Sequence, residues 1–564
     1  MQEAKSNKKS EAADVAETPA ADSSVSRGKF LAGAAVAGLA VTAPGVARAG
    51  RNAALANGLA PGMIGGPTGF KGAARYQYPA NSEEGRAILA LKALRKAGKA
   101  PSTLVVQALD FARPQFLNTF PKGATASIAG IFERETGIKL KFIETSPATE
   151  YATNIRNAST KNGSFDIVTG AIEDTGDYAN SGLLRPLDDF VAKYRPSWND
   201  PKFGYAGGRP TVNLFTKYEG ETYWVAFDND TQVYAYRSDL FKNPTEKANY
   251  EDKYGQPLRV PTTWDEQAKV AAFFHRPGGS KPLYGSVERK GPFWGKVNWQ
   301  HRFLCSADPN QYYFKPDGSA NVNNTAGIRA ATEHLRSLQW SEPGALSKDY
   351  IGQYQLYGDG SGVQGGTFPN VTKLVPGDQA LDKGGFGKFL RSDVMPGRIV
   401  NGKLIRRSAI HYNISYGVNR FSPKKNHEAA YLFLQWVGGA RMFTYLTANP
   451  AGFQDPHHTR SLSDPLVIAG YKATTINALK QVIPRTAPPI TIRGAGEYNA
   501  ALDEELQKML TKQQTPEKAM ANVEQRWNKI TDRLGKKTQA KAVVASYRGF
   551  PAKGVYGPTK QLNP

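Results

Sequence analysis

Leu104-Val105-Val106, Ile138-Lys139-Leu140-Lys141-Phe142-Ile143 and Phe165-Asp166-Ile167-Val168 are the runs on which the fold turns. Each is of strand length and either apolar or alternating. Between the first two, Ala124–Thr136 has helical spacing and stops at Gly137; between the second and third, Tyr151–Ser159 reads as another helix. Strand, helix, strand, helix, strand predicts a parallel sheet with right-handed crossovers. Ligands of such sheets sit beyond the carboxyl ends of the strands, here near Asp110, Glu144–Ser146 and Gly170–Asp174.

Upstream, residues 50–80 are rich in Gly, Ala and Pro and read as a linker. A helix follows, with Asn81 and Glu84 at capping-box spacing and Ile88, Leu91 and Leu94 on one face. Downstream the chain is more helical. Thr263 and Glu266 form a second capping box and start a helix through Phe274. Asn324–Trp340, His427–Leu446 and Tyr498–Leu510 are amphipathic, and Pro516 opens a helix carrying Met520, Val523, Trp527, Ile530 and Leu534. The last thirty residues, basic with Gly and Pro, read as a tail.

Residues 1–49 read as an address. A polar lead precedes Ser26-Arg27-Gly28-Lys29-Phe30-Leu31, an Ala/Gly-rich apolar run follows, and Ala47-Arg48-Ala49 is a small-x-small cleavage signal. The pattern resembles a twin-arginine signal with Gly28 where a second arginine is expected. An exported, periplasmic protein is predicted, with an uncleaved anchor as the alternative. The single cysteine of the 564 residues excludes an internal disulfide and a Cys-cluster zinc site; Cys305 reads as a small buried hydrophobe.

With 72 Lys+Arg against 49 Asp+Glu the chain carries a formal +23. The address holds six basic and five acidic residues, so the basicity belongs to the remainder. Such a charge invites a polyanion, but clumps such as Arg406-Arg407 and Lys424-Lys425 lie beside acidic helices, as on a solvated face. The narrower expectations are attraction to an anionic membrane surface, or a cleft that tolerates an anionic sugar or polyol phosphate.

Catalytic motifs are wanting. Gly358-Asp359-Gly360-Ser361-Gly362 lacks the Gly-Lys-Ser/Thr ending of a phosphate loop. Asp228-Asn229-Asp230 opens like a calcium loop, but Val233 stands where glycine is needed. His457-His458, adjacent, suit a surface loop better than one metal. The positive signal is aromatic: Tyr223-Trp224, Phe293-Trp294, Trp299 and Tyr412 occur beside Asp228, Asn229, Asp230, Asn298, Gln300 and Asn413. Flat rings stack on sugar C–H faces while amides and carboxylates meet the hydroxyls. Trp294 and Trp299 sit in a Gly/Pro-punctuated stretch, read as a loop, which favours binding over core packing.

In order along the chain, several segments resemble the extracellular solute-binding proteins of bacterial ABC importers, in the sugar-binding family that includes maltose-binding protein. Phe165–Val168 with Tyr178–Phe190, Tyr223–Asp228 with Tyr234–Phe241, Pro261–Glu266, Tyr416–Asn419 with Lys425–Trp436, and Glu497-Tyr498 with Thr515–Ala519 and Trp527 carry the likeness. It implies an α/β fold of two hinge-linked lobes, the type II-like periplasmic binding protein fold, each lobe a sheet flanked by helices. Lobe one would be 100–228 plus 392–440, and lobe two 230–390 plus 441–535. By the same resemblance Glu173 and Asp174 reach the ligand from lobe one, Asp228 is the crossover carboxylate, and Phe368, Pro369 and Asn370 form an aromatic-Pro cleft segment. Tyr412 and Asn413 open a return loop that often carries glycine in relatives, so Tyr412 narrows the cleft.

The function implied is capture of a sugar or polyol and delivery to the membrane subunits of an ABC permease. No cofactor, metal or nucleic acid is implied, and a monomer is expected. The expected ligand residues are Asp110, Glu173, Asp174, Asp228, Asn229, Asp230, Trp294, Trp299, Phe368, Asn370, Tyr412 and Asn413, with Asp228→Ala weakening affinity at little expense of stability. The alternatives are an exported glycoside hydrolase, using two of Asp110, Glu173, Asp174, Asp228 and Asp230 as acid and base, and a polyanion binder.

Overall fold

The three apolar runs lie side by side. In a computed structural model describing residues 58–308 and 311–548, Thr103–Leu109 pairs in parallel with Lys139–Thr145 on one side and with Ile167–Ala171 on the other. The sheet is completed by two strands from later in the chain, Ile414–Val418, antiparallel to Ile167–Ala171, and Val225–Ala226, antiparallel in turn to Ile414–Val418. Ile167–Ala171 is buried throughout, as a central strand covered on both faces should be, whereas the edge strand Lys139–Thr145 exposes alternate residues. Ser127 caps the first crossover helix, Ile128–Thr136, by accepting from the Gly130 N–H, and Gly137 ends it at φ 69°. Phe116, Phe132, Phe227, Phe433 and Trp436 fill the space between this sheet and its helices.

Two expectations about the N-terminal segment fail. Residues 58–80 are no linker: Tyr76 and Tyr78 are fully buried, and the Trp436 indole donates to the Tyr78 hydroxyl at 2.7 Å. The glycines that suggest flexibility instead allow close approach, since a Cβ on Gly65 would lie 2.6 Å from the Tyr78 ring. The following helix, Glu83–Lys96, is capped by Ser82 rather than Asn81; Glu84 turns into the core, where it accepts the Arg441 N–H at 2.7 Å.

The second lobe is built on Val233–Arg237, flanked antiparallel by Gln364–Thr367 and Leu390–Asp393. The capping box of Thr263 and Glu266 is present, and its helix runs Trp264–Phe274. Beside the sheet, the helices Lys296–Leu304, Thr325–Ser337, Ala495–Leu510 and Pro516–Leu534 enclose Trp299, Phe303, Tyr313 and Trp527. The expected tail begins as one more helix, Lys536–Arg548, which buries Ala542, Val543 and Tyr547 in the same core. Its basic character masked an apolar face.

The lobe boundaries also move. Leu390–Asp393 and the hairpin Gly397–Val400/Lys403–Arg406 stay with lobe two, so the chain returns to lobe one near Ile410, not at 392. Met442, Phe443 and Leu446 then pack in the core of lobe one, beyond the expected limit of 440. Pro465–Val482 crosses back, its Thr475 hydroxyl meeting that of Ser392 at 3.0 Å. Two crossovers run side by side, joined where Gln232 N–H donates to the Ala409 carbonyl at 3.0 Å and Thr231 bridges Ile410. Near the third, His457 and His458 are wholly buried among Tyr205, Phe215 and Phe443 rather than in a surface loop. Neighbouring rings from distant segments supply the box that adjacency alone did not suggest.

Among the described residues no helix is long and apolar enough to cross a membrane. The expected address, 1–49, and residues 549–564 of the expected tail lie outside the described residues.

Candidate functional site

Where the carboxyl ends of the parallel strands of lobe one meet the helical side of lobe two there is a cavity of about 360 Å³. Its lobe-one wall is made by Glu150 and Tyr151 after Lys139–Thr145, by Glu173 and Asp174 after Ile167–Ala171, and by His411 and Tyr412 before Ile414–Val418. Phe293, Lys296 and Gln300, with Asn499 and Asp503, close it from lobe two. The placement follows from the sheet: parallel strands deliver their loops to one edge.

Tyr412 ties this wall together. Its φ is 63°, a region where glycine is comfortable and a tyrosine is strained. Two hydrogen bonds hold it there: its N–H donates to Glu173, and its hydroxyl donates to Glu150 Oε2 at 2.6 Å. Burial pushes the Glu150 carboxyl up to about 7, with the Tyr412 hydroxyl opposing. Burial likewise raises Glu173, Asp174 and Asp503. Lys296 is pulled down by burial against the attraction of Asp503, Glu173 and Asp174. The wall is therefore acidic and short of cations.

A second acidic group lies at the hinge. The carboxylates of Asp228, Asp230 and Asp455, all buried, place oxygens within 4.8 Å of one another. One oxygen of Asp228 accepts the N–H groups of Asn229, at 2.8 Å, and Asp455, at 2.6 Å. Burial pushes Asp228 up to about 7 while Lys373, itself pulled down to about 8 by burial, partly offsets it. Next to them the Arg289 guanidinium lies 4.3 Å over the Phe368 ring. An apolar seam joins the lobes here: Phe111 meets Phe453 at 4.3 Å, and Trp294 faces Tyr350, Tyr412 and Phe368 at 5.2, 6.0 and 6.2 Å.

A two-lobed α/β chain with crossovers at the hinge and a cavity between the lobes matches the model of one protein family, described as bacterial extracellular solute-binding protein, over residues 113–442. The chain belongs to that family. Solved structures of similar fold include a solute-binding protein of an ABC transporter from Agrobacterium radiobacter in complex with ribitol. It has 18% identity and a TM-score of 0.62, covering 76% of this chain and 99% of that one. The maltose-bound MalE3 of T. maritima follows at 15% and 0.59, over 76% and 99%. A solute-binding protein from Agrobacterium vitis with bound D-mannitol has 17% and 0.56, over 77% and 99%.

In this solute-binding protein Glu173, Asp174 and Tyr412 line the cavity, and Trp294, Phe368 and Tyr412 share the aromatic seam beside it. Asp228, Asn229, Asp230 and Asn413 gather at the hinge instead. There the Asp230 N–H donates to Asn413 Oδ1 at 2.8 Å, and Asn229 Nδ2 donates to the Pro456 carbonyl at 2.9 Å. Asn370 is buried, donating to the Phe453 carbonyl at 2.7 Å and accepting from the Tyr354 hydroxyl. Asp110 ends its strand with its carboxylate accepting the Phe111 N–H at 2.7 Å, away from the cavity wall.

Trp299 must be removed from the site. It lies in the helix Lys296–Leu304, fully buried, donating to the Gly327 carbonyl at 3.0 Å and stacked on Phe303. The Gly/Pro punctuation ends at Gly295, one residue before that helix begins. Tyr223 and Trp224 are likewise core, the latter bonded to the Thr175 hydroxyl at 2.7 Å. Asp228→Ala is no longer expected to spare stability, because two buried N–H groups depend on that carboxylate. Glu150, Arg289, Lys296, Asp455 and Asp503 were not legible in advance. Only Glu150 had a signal, lying within a few residues of a predicted strand end.

Proposed function

We propose that this protein is the substrate-binding component of an ABC importer, and that it captures a sugar or polyol in the cavity between its lobes and delivers it to a membrane permease. The cavity itself carries the reading: it is closed by both lobes, walled by rings and by hydrogen-bonding groups, and of a size for a small solute. The ligands of the ribitol, maltose and D-mannitol complexes support the same chemistry.

Binding here needs no bond to be made or broken. A solute touching both walls stabilises the closed arrangement over any open one by its extra contacts, and the closed form is what a permease would recognise. The crossovers at Gln232–Ala409 and Thr231–Ile410 are where such closure would bend the chain. The family description supports an extracellular place of work.

A thermal-shift screen over sugars, polyols and their phosphates tests this. A ligand at a hundred times its Kd adds about 2.7 kcal/mol to stability. Saturable binding without product supports the reading; turnover of a glycan would replace it with the hydrolase.

A further inference from the structure

The formal +23 invites an anionic ligand, yet the cavity has the opposite sign. Four carboxylates, Glu150, Glu173, Asp174 and Asp503, face it against one ammonium, Lys296. The hydrogen-bonding inventory is more specific than the charge. Four oxygens in this wall are buried and have no hydrogen-bond partner among the described residues: Glu150 Oε1, Glu173 Oε2, Asp503 Oδ1 and Gln300 Oε1; the one nitrogen of the wall in the same position is His411 Nε2. The glutamine is not an acid, and it points the same way. The residues themselves are held: Glu150 by the Tyr412 hydroxyl, Asp503 by the Phe293 N–H at 2.7 Å. Lys296 Nζ is turned to the Phe293 carbonyl at 2.7 Å and lies 4.3 Å over that ring.

A buried acceptor left unpaired costs about 1–3 kcal/mol, and more when charged. Neutral hydroxyls each bring one donor and also lone pairs that need donors in turn; an ammonium brings three donors and no acceptor. The aromatic edge of the cavity, Phe293 and Tyr412, suits a cation as well as a sugar face. Resting on the solute-binding reading above, we propose that the solute carries a protonated amine, as an amino sugar or amino-polyol does, and that Glu150, Glu173, Asp503 and Gln300 receive it. The high proton affinity that burial confers on these acids is consistent with a site waiting for positive charge.

Calorimetric titration of the full chain with matched trios tests this: glucosamine, glucose and N-acetylglucosamine; galactosamine, galactose and N-acetylgalactosamine; and the pair glucamine and glucitol. On a scaffold that fits, the amine should bind at least about tenfold more tightly than its neutral partners, the worth of one charge-assisted hydrogen bond. Neutral members binding equally or better would overturn the inference and leave the sugar or polyol reading standing. Silence from every member would overturn the inference and leave the sugar or polyol reading to the wider thermal-shift screen. Glu173→Gln and Asp503→Asn, which keep shape and remove charge, should each shrink the ratio of amine to neutral affinity to about threefold or less. An undiminished preference in both would overturn the assignment of these residues.

Discussion

Two buried glutamates in this protein behave in opposite ways. In lobe two, Glu288 accepts from Arg302 at 2.6 Å, from Lys290 at 3.2 Å and from the Ser337 hydroxyl at 3.0 Å. Burial pushes its carboxyl up, but Arg302 and Lys290 outweigh burial and hold it well below the usual carboxylate range. At the cavity, Glu150 is equally buried and among the described residues its carboxyl has only the Tyr412 hydroxyl, so burial prevails and it rises to about 7. Burial is common to both; the partner differs. A glutamate completed by cations is part of the scaffold, and one left incomplete among free acceptors marks a place for something else.

Removing the completed glutamate should be the most damaging change. Glu288→Ala leaves Lys290 and Arg302 buried without their anion and should destabilise the protein by about 3–5 kcal/mol in urea unfolding. A loss below about 1 kcal/mol would erase the distinction between the two glutamates. Asp228→Ala, at the hinge, frees two buried N–H groups and should cost about 3 kcal/mol, with Asp228→Asn costing less because it keeps an acceptor.

The two glutamates also titrate on opposite sides. Glu288, depressed when folded, contributes stability above the ordinary carboxylate range that is lost as pH falls below it. Glu150, raised from 4.5 to about 7, favours the folded state at low pH and gives up that advantage as pH rises through about 7. Between pH 5 and 8 the contribution of Glu150 should be lost, and Glu150→Gln should remove about 2 kcal/mol of pH dependence from the unliganded protein, allowing for water entering the cavity. Chemical unfolding at stepped pH would show it; an unchanged slope would place the titration elsewhere. Least of all, Tyr412→Phe removes one donor from Glu150 and should cost about 1 kcal/mol. It should also push the Glu150 carboxyl higher, read as a shift of the pH slope.

Much of lobe one could be read from residues alone. Three apolar runs separated by helix-length segments with Gly137 as a stop leave few arrangements other than a parallel sheet, and Thr263 with Glu266 locates a helix start by a purely local exchange of hydrogen bonds. The same local rules misjudged 58–80 and 536–548, where glycine and lysine content concealed Tyr76, Tyr78, Val543 and Tyr547. Of the site, Glu173, Asp174 and Tyr412 were found through strand ends and family likeness. Trp299 was lost because one residue, Gly295, separates loop from helix, and burial of a ring depends on what packs across from it.

From its sequence alone this chain has the parallel strands of lobe one, its basic charge and its lack of an internal disulfide, and through its likeness to a known family its two-lobe α/β class. The first three follow from periodicity, capping and counting, which act over a few residues or none. Tertiary structure alone decided that Glu150, Asp503 and Gln300, from separate segments, would share one cavity with unpaired oxygens, and that Asp455 would join Asp228 and Asp230. It also decided that the cavity of a protein with formal charge +23 would be acidic. Net charge is a sum over the whole surface, whereas a ligand meets only the few groups that folding turns toward it.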